Sequence, residues 1–333
     1  MPFAAFLDAP LAPVTVHAYT PPEPGPGEAA VRLEACGICH SDVMITGLEK
    51  LPLSPLILGH EGIGVVTAVG PDVTEVQPGD RVGITYFASS CGKCDACHNG
   101  YQRFCARQTN HGYTRHGALA TETFAAVQSL VKVPAALSAA EAAPLCCAGW
   151  TAMGAIREAR VQPGETVAIV GFGGLGHLAL QYIKALGANA AVVDVSEPKL
   201  EHARDLGAIA VTTPENARKV LLKNMGGVDA ALVFTASAAI VPTAISSLKR
   251  RGRAVLVGLT TDTYAVSPTE LVIKGITIQG SYLGSKEDLA QVFTLAEQGI
   301  VKAKVSTHPL DQAPDLISQL KQGRITGRAV IAF

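Results

Sequence analysis

Residues 166–176 read Thr-Val-Ala-Ile-Val-Gly-Phe-Gly-Gly-Leu-Gly, an apolar run that leads directly into a glycine-rich turn. A helix is predicted over 175–186, and the next apolar run ends at Asp194, twenty-three residues after Gly171. This order of strand, glycine turn, helix and terminal acid is typical of dinucleotide-binding folds, in which the backbone approaches a pyrophosphate. The acid would bind the adenosine ribose and repel a 2′-phosphate, which favours NAD over NADP. The alternative is a helix start that needs glycine only for packing.

The sequence on either side of this stretch differs in character. On the C-terminal side, predicted strands at 190–194, 229–235 and 254–258 alternate with predicted helices, which indicates a parallel sheet covered by helices. On the N-terminal side, short apolar runs at 29–35, 62–69 and 81–85 are bounded by Gly, Pro or Asp and predict a β-rich part. The change falls near 144–164, and a helix at 286–297 and a strand at 328–333 follow later. The fold class is therefore predicted to be α/β.

Composition and charge exclude several classes of protein. The 333 residues carry 27 basic and 28 acidic side chains, so the net charge of −1 offers no case for a nucleic-acid or anionic-membrane partner. Hydrophobic residues make up 48% and charged residues 17%, which excludes a disordered chain. The uncharged stretches 166–183 and 230–248 are nearly long enough to span a membrane. Their glycines, proline and hydroxyl side chains favour buried strand–helix pairs of a soluble core.

Four of the eight cysteines are closely spaced, as Cys91-x2-Cys94-x2-Cys97-x7-Cys105. The start of the chain does not resemble a signal peptide, so a reducing, cytoplasmic location is expected, where clustered cysteines more often bind metal than form disulfides. Four thiolates at this spacing can close a tetrahedron around Zn²⁺ and leave no place for water, which predicts a structural zinc site. The alternative is four unrelated thiols. His98 is interpreted as a solvated bystander.

A second, dispersed set of residues could hold another metal ion. Cys39, His60 and Cys147 would supply two thiolates and one imidazole and leave a fourth position open, which is the ligand count of a catalytic zinc. From residue types alone, any of the three could equally be a buried structural residue.

These motifs together resemble the zinc-dependent alcohol dehydrogenases of the medium-chain dehydrogenase/reductase superfamily, closest to the tetrameric microbial type. The likeness covers essentially the whole chain, and the motifs follow the family's order: 36–42, 59–61, 91–105, 145–149 and 171–176. The resemblance implies a GroES-like catalytic domain over 1–148 with a structural zinc lobe at 91–105. It further implies a Rossmann NAD-binding domain over 149–280 and a return to the catalytic domain over 281–333.

The resemblance also implies individual roles around two zinc ions per chain. Cys39, His60 and Cys147 would hold the catalytic zinc, and the ligands of the structural zinc would be Cys91, Cys94, Cys97 and Cys105. Glu61 would ligate the catalytic ion transiently, Asp42 would orient His60, and Ser41 would accept the alcohol proton. Cys36 and Cys146 are interpreted as buried residues outside the ligand set.

The implied cofactor contacts come from both parts of the chain. His40 and Arg328 would bind the pyrophosphate, Asp194 and Lys199 the ribose, while Thr151 and Leu175 would pack behind the nicotinamide. The glycine turn would consist of Gly171, Gly173, Gly174 and Gly176. For Lys199 and Arg328 the alternative is a solvated surface charge.

The expected activity is the reversible, NAD-linked oxidation of primary or secondary alcohols to aldehydes or ketones by hydride transfer. The partners would be a small-molecule substrate and further copies of the chain, as a homotetramer, with no nucleic acid and no membrane. Tyr86 and Trp150 are candidate pocket aromatics. Met44 stands where many relatives carry the histidine that ends a proton relay, and a thioether cannot transfer a proton.

Two rival functions remain at this stage. A zinc-free quinone or enoyl reductase of the same superfamily would lack both sets of metal ligands. A zinc ribbon that binds nucleic acid would need a basic surface, yet the segment 91–105 holds only Lys93 and Arg103 against Asp95.

Overall fold

The computed structural model describes residues 1–333 and divides into two compact units. The first unit consists of Met1–Trp150 together with Ser285–Phe333, and the second unit consists of Thr151–Gly284. These limits lie a few residues beyond the predicted domain boundaries at 148 and 280.

Eighteen strands are distributed over the two units. In chain order they are β1 (Phe3–Leu7), β2 (Val14–Ala18), β3 (Glu28–Gly37), β4 (Leu56–Ile57), β5 (Glu61–Val69), β6 (Arg81–Ile84), β7 (Phe87–Ser89), β8 (Thr109–Asn110), β9 (Glu122–Ala126), β10 (Val131–Lys132), β11 (Thr166–Val170), β12 (Asn189–Val193), β13 (Ala210–Thr212), β14 (Val228–Val233), β15 (Leu248–Leu256), β16 (Thr277–Gly280), β17 (Val305–His308) and β18 (Arg328–Ala332).

Eleven α-helices lie between them. They are α1 (His40–Thr46), α2 (Asp95–His98), α3 (Ala139–Ala142), α4 (Ala148–Glu158), α5 (Gly176–Ala185), α6 (Glu197–Asp205), α7 (Pro214–Arg218), α8 (Val241–Ser246), α9 (Pro268–Lys274), α10 (Lys286–Glu297) and α11 (Ala313–Lys321). None of the helices combines the length and the apolar character that crossing a membrane requires.

The second unit is built on one parallel sheet of six strands in the order β13-β12-β11-β14-β15-β16. Its central strand β11 is buried along Val167–Val170, as expected for a parallel sheet covered on both faces. The carboxyl ends of β11 and β12 therefore meet at one edge, where Gly171 and Asp194 follow them. This arrangement confirms the predicted α/β fold with a parallel sheet.

The first unit contains a mixed sheet in which β3 is the central strand. Its strands run in the order β10-β6-β5-β3-β18-β17, and β9 also pairs with β3. Strand β3 is antiparallel to β5, β9 and β18, so residues near both ends of the chain meet in one sheet. A hydrophobic core that includes Leu33, Ile38, Leu58 and Ile84 packs against this sheet. The core supports the segments that carry the buried cysteines and His60.

Candidate metal centres and cofactor site

The four closely spaced cysteines form a lobe, 91–105, whose ligand atoms all lie within 4.8 Å of one another. The Sγ atom of Cys97 is 3.5 Å from that of Cys94 and 3.9 Å from that of Cys91. A tetrahedral zinc site with Zn–S bonds of about 2.3 Å places its sulfur atoms about 3.8 Å apart. All four cysteines are free of disulfides. The donor set and its spacing therefore fit a structural zinc ion.

The remainder of the lobe contributes little hydrophobic packing. Cys97 and Cys105 are buried, whereas Tyr101 and Phe104 are 53% and 48% exposed. Helix α2 begins directly after Cys94 and is only four residues long. His98 is exposed, as predicted for a bystander. The sulfur cluster is thus the main internal contact of this segment.

The dispersed residues also come together, in the interior of the first unit. Cys39, His60, Glu61 and Cys147 are buried, and one ligand atom from each lies within 4.8 Å of the others. The Sγ atoms of Cys39 and Cys147 are 3.8 Å apart. Neither ring nitrogen of His60 has a hydrogen-bond partner, although both are buried. Because an unpaired buried imidazole is costly, this donor set fits a metal ion.

The local structure explains how the ligands are placed. Cys39 is the N-cap of α1, and Cys147 follows a short 3-10 turn just before α4. Gly59, which precedes His60, has a φ of +91°, and a Cβ atom there would lie 2.6 Å from the backbone nitrogen of Leu119. A larger residue at this position would displace the His60 turn.

Asp42 joins two of the ligand segments. Its carboxylate is fully buried and accepts hydrogen bonds from the backbone N–H of Cys39 at 2.8 Å and of Gly59 at 3.1 Å. The same carboxylate lies 3.5 Å from Nδ1 of His60. This geometry agrees with the predicted part of Asp42 in orienting His60, and it adds a link to the start of α1.

The protonation states in this cluster depend on close contacts. The hydrogen bond with the Cys147 thiol lowers the pKa of Cys39 well below its ordinary value, against the effect of burial. The pKa of Cys147 rises because it donates in this bond. Burial alone would lower the pKa of His60, but Asp42 and Cys39 outweigh it and raise the pKa well above its ordinary value. Metal binding here must therefore release protons.

Glu61 and Arg328 form a buried ion pair between β5 and β18. Arg328 is 6% exposed and Glu61 is fully buried, and Nη2 of the arginine donates to Oε1 of the glutamate. Burial raises the pKa of Glu61 to about 8, although Arg328 opposes this effect. Nε of Arg328 has no hydrogen-bond partner. The alternative of a solvated surface charge is wrong for Arg328.

The glycine turn lies in the second unit, between β11 and α5. Gly171 has a φ of +97°, and a Cβ atom on Gly176 would lie 2.3 Å from the carbonyl oxygen of Gly171. The Asp194 carboxylate accepts hydrogen bonds from the backbone N–H groups of Phe172 at 2.7 Å and Ser196 at 3.0 Å. Both glycines are therefore required by the backbone, and Asp194 holds the turn in place.

A cavity of about 340 Å³ opens at this edge of the parallel sheet. Its lining includes Gly171, Asp194, Pro214, Glu215 and Thr235. The Nζ atom of Lys199 lies 4.0 Å from Oδ1 of Asp194, and the lysine side chain is partly exposed. The size is within the range of small-ligand pockets, and its position matches the crevice where dinucleotides bind in such sheets.

The other predicted site residues occupy varied surroundings. His40 is exposed, Ser41 is half-buried and accepts a 3.8 Å hydrogen bond from Sγ of Cys39, and Met44 is 47% exposed. In the second unit, Thr151 is buried and Leu175, Gly173 and Gly174 are at least partly exposed.

The two candidate pocket aromatics differ in their contacts. The ring of Tyr86 meets the His60 ring edge-on at 5.1 Å, so it lies beside the buried cluster. Trp150 is 4% exposed, and its indole N–H donates to the carbonyl of Ser285 at 2.6 Å. Trp150 is thus held by the core of the first unit.

Cys36 and Cys146 are fully buried and lie outside the four-residue ligand cluster, as predicted. His111, the residue that follows β8, is buried and was not among the predicted site residues. A lone histidine in a loop carries no spacing that would mark it.

Comparison with known proteins decides the family. Residues 25–135 match the family described as alcohol dehydrogenase GroES-like domain, and residues 174–298 match the zinc-binding dehydrogenase family. The chain is 41% identical to an alcohol dehydrogenase of Geobacillus stearothermophilus over 96% of either chain. The chain belongs to the zinc-dependent alcohol dehydrogenase family.

Two further alcohol dehydrogenases are similar over nearly the whole chain. An alcohol dehydrogenase of Moraxella sp. (strain TAE123) is 40% identical over 94% of either chain. The crystal structure of the alcohol dehydrogenase from the hyperthermophilic archaeon Aeropyrum pernix superimposes with a TM-score of 0.91 at 33% identity. That match covers 99% of this chain and 100% of the archaeal one. Membership of the zinc-dependent alcohol dehydrogenase family confirms the resemblance drawn from the motifs, together with the zinc and the two-part fold that it implies.

Proposed function

We propose that this chain is an NAD-dependent alcohol dehydrogenase that interconverts primary or secondary alcohols with aldehydes or ketones. The observation that carries the proposal is the buried cluster of Cys39, His60, Glu61 and Cys147, in a chain whose relatives are named alcohol dehydrogenases. Cys39, His60 and Cys147 would supply three firm ligands, so the fourth position would be open to a substrate oxygen whenever Glu61 is not bound there.

Two metal positions with different tasks follow from the donor sets. Cys39, His60 and Cys147 would hold the catalytic zinc, with Glu61 as an exchangeable fourth donor, and the lobe cysteines would hold the structural zinc. When bound, the catalytic ion supplies a Lewis acid that lowers the pKa of an alcohol. Asp42 bonds the two ligand segments at Cys39 and Gly59, and from 3.5 Å it would orient the His60 ring, so the donors would be arranged before substrate arrives.

The cofactor assignment uses residues of both units. NAD supplies the hydride acceptor when it is bound. In the second unit, the glycine turn and Asp194 would hold the pyrophosphate and the adenosine ribose, with Lys199 nearby and Thr151 and Leu175 behind the nicotinamide. In the first unit, the unpaired Nε–H of buried Arg328 supports a part in anion binding, together with exposed His40.

The first acceptor of the substrate proton would be a hydroxyl group of the chain. Ser41, next to the Cys39 thiol, would take the alcohol proton and pass it toward solvent. Met44 cannot continue this path, because a thioether does not transfer protons, so the path would end at the cofactor ribose and water or at another base. Tyr86, packed against His60, would form one wall of the substrate pocket, and Trp150 would support it from the core.

Metal analysis and an NAD⁺-reduction screen test the proposal together. We expect two zinc ions per chain and NADH formation with primary or secondary alcohols. One zinc ion, or turnover only with a quinone or enoyl substrate, would contradict it. A zinc-free reductase is disfavoured because both donor sets are complete. Homotetramer assembly and a cytoplasmic location belong to the same proposal, and light scattering tests the first.

Cofactor choice is tested at Asp194. Asp194→Asn removes the charge but keeps an oxygen that can accept from the Phe172 N–H, whereas Asp194→Gly removes both. If the charge excludes a 2′-phosphate, both variants should raise the ratio of kcat/KM for NADP over NAD by about tenfold or more. An unmodified enzyme that already uses NADP as well as NAD would contradict the assignment.

A further inference from the structure

His111 is a buried histidine beside the metal cluster that the proposed mechanism does not use. It is 1% exposed, and burial lowers its pKa to about 4, so its ring is neutral at physiological pH. Its ring nitrogen Nδ1 lies 2.9 Å from the carbonyl oxygen of Thr85. Because a carbonyl oxygen only accepts, Nδ1 carries the proton and donates.

The same residue makes a second bond to the neighbouring carbonyl. The backbone N–H of His111 donates to the carbonyl oxygen of Tyr86 at 2.9 Å. Two successive carbonyl groups are therefore held by one residue, through its ring and through its main chain. Thr85 is itself buried and donates its hydroxyl to the carbonyl of Phe87, so the whole segment 85–87 is tied down.

The other ring nitrogen of His111 is a buried acceptor without a partner. An unpaired buried acceptor costs free energy, so this nitrogen adds nothing to the stability of the fold. The hydrogen bond from Nδ1 to the Thr85 carbonyl sets the orientation of the imidazole.

The neighbour of His111 reaches the metal-ligand turn. Gly112 has a φ of +72°, and a Cβ atom on it would lie 2.8 Å from the carbonyl oxygen and 3.0 Å from the nitrogen of Gly59. The loop thus packs directly against the residue that precedes His60. On the other side, the Tyr86 ring meets the His60 ring at 5.1 Å and 80°.

We infer that His111 is a positioning residue that ties the pocket wall at Tyr86 to the metal-ligand turn at Gly59 and His60. The inference rests on the proposed function for its link to the substrate. His111 itself touches neither substrate nor metal. It fixes the distance between the Tyr86 ring and the His60 ring, and through it the shape of the space beside the metal.

Three substitutions of His111 distinguish its proposed positioning role from a contribution to the stability of the fold. His111→Asn keeps a donor on the atom that corresponds to Nδ1, His111→Gln places the donor one carbon further out, and His111→Leu removes it. The matched control is Ser129→Ala, because Ser129 is also buried and donates to a backbone carbonyl, that of Ala126 at 2.7 Å, within its own turn. Each variant is compared with the full-length, metal-loaded enzyme.

His111→Leu should raise the KM for alcohol by about tenfold with a smaller change in kcat, and His111→Asn should stay within about threefold of the unmodified enzyme. The visible spectrum of the cobalt-substituted enzyme, taken without substrate or cofactor, should change in His111→Leu and be kept in His111→Asn. Ser129→Ala should lower the melting temperature and leave both the KM and the spectrum unchanged.

The inference is overturned if His111→Leu keeps the KM and the cobalt spectrum, or if Ser129→Ala reproduces the change in both. If His111→Leu fails to fold, the inference is tested by the KM values for alcohol of His111→Asn and His111→Gln. Equal KM values for these two variants and the unmodified enzyme contradict the inference. The cobalt spectrum separates this result from the proposed function. If the unmodified enzyme oxidises no alcohol, the proposed function fails, while the spectrum still reports whether His111 positions the ligand turn.

Discussion

The lobe at 91–105 and the buried cluster around His60 bring similar ligand atoms together in opposite surroundings. In the lobe, four thiols gather in a short segment with exposed aromatic residues and little other packing. In the buried cluster, the donors come from three separate segments of the first unit, which the core supports, and Asp42 bonds two of these segments. Under the proposed function, the lobe would depend on its metal for structure, whereas the buried cluster is held by its surroundings and would need its metal for chemistry.

A matched pair of substitutions tests this difference between the two sites. Cys39 and Cys94 are both the N-cap of a helix, and serine is a good N-cap residue, so Cys→Ser preserves the start of either helix. A difference between the two variants therefore reports the metal site rather than the helix.

The largest effect is expected for Cys39→Ser. Losing one ligand of the catalytic ion should lower kcat/KM for alcohol by about 10³-fold or more, because several kcal/mol of stabilisation by the ion are lost. The melting temperature should change little, since the core holds the cluster. Steady-state kinetics, zinc content and calorimetry measure this, and activity that survives at the wild-type level after chelation would refute the assigned metal site.

Cys94→Ser should show the reverse pattern. The structural ion contributes to folding directly, so we expect the free energy of unfolding to fall by about 4 kcal/mol or more. The protein that remains folded should keep its kcat with alcohol. Thermal unfolding with and without added zinc is the measurement, and an unchanged melting temperature would count against a structural site in the lobe.

The surroundings of the two clusters also differ in their response to acid. The lobe's own histidine, His98, is exposed, whereas His111 is buried behind the His60 cluster. Its pKa is lowered from 6.5 to about 4, so as the pH falls through this window the unfolded chain takes up a proton before the folded one does. The contribution of His111 to the free energy of unfolding is therefore complete above pH 6.5. It is lost as the pH falls toward 4, by up to about 3 kcal/mol.

His111→Asn removes this titration, so its stability should depend less on pH than that of the unmodified protein. The fluorescence of Trp150, the single tryptophan, reports unfolding of the first unit in urea at a series of pH values. Equal pH dependence of the two proteins between pH 6.5 and 4 would show that the ring is not buried in its neutral form.

The smallest effect is expected for a substitution of Met44. This substitution concerns the buried cluster alone, because only there would an alcohol release its proton. Met44 is 47% exposed on α1, so Met44→His places an imidazole between the cluster and solvent. We expect a modest gain in alcohol oxidation below about pH 7.5 and a new inflection near the ordinary imidazole pKa of about 6.5. Hydride transfer or cofactor release limits the gain. Glu49→His adds the same group at an exposed position beyond the helix, and parallel pH–rate curves for both variants and the unmodified enzyme would place position 44 off the proton path.

Sequence patterns predicted the elements that depend on local chemistry. The strand at 166–170 and the helix at 286–297 coincide with β11 and α10, because the first is a short apolar run that a glycine turn ends and the second has a helical apolar period after a capping serine. The spacing of the lobe cysteines equally indicated their cluster, since a short connection leaves little freedom. Family resemblance, rather than periodicity, brought Cys147 into the buried set.

Elements that depend on distant partners were not predicted fully. The strand expected at 254–258 begins at Leu248, because Leu248 also pairs with Val228 of β14, across an irregularity in register that contains the charged residues Lys249–Arg251. The Glu61–Arg328 pair joins residues that are 267 positions apart, and no local pattern encodes such a contact. The position of His111 beside the cluster was not predicted for the same reason, because its hydrogen-bond partners lie 25 or more residues away in the sequence.

The pairing of β18 with β3 has a consequence for the order in which the protein matures during synthesis. Cys36 on β3 lies opposite Ile331, which is 295 residues further along the chain. At about 5–20 residues per second, the ribosome supplies this partner roughly 15–60 s later. The second unit, Thr151–Gly284, is synthesised completely before Ile331 is added. The strand that pairs with β3 is therefore made only after the whole parallel sheet of the second unit, so the candidate metal centre of the first unit is completed later than the sheet that lies between its two halves in sequence.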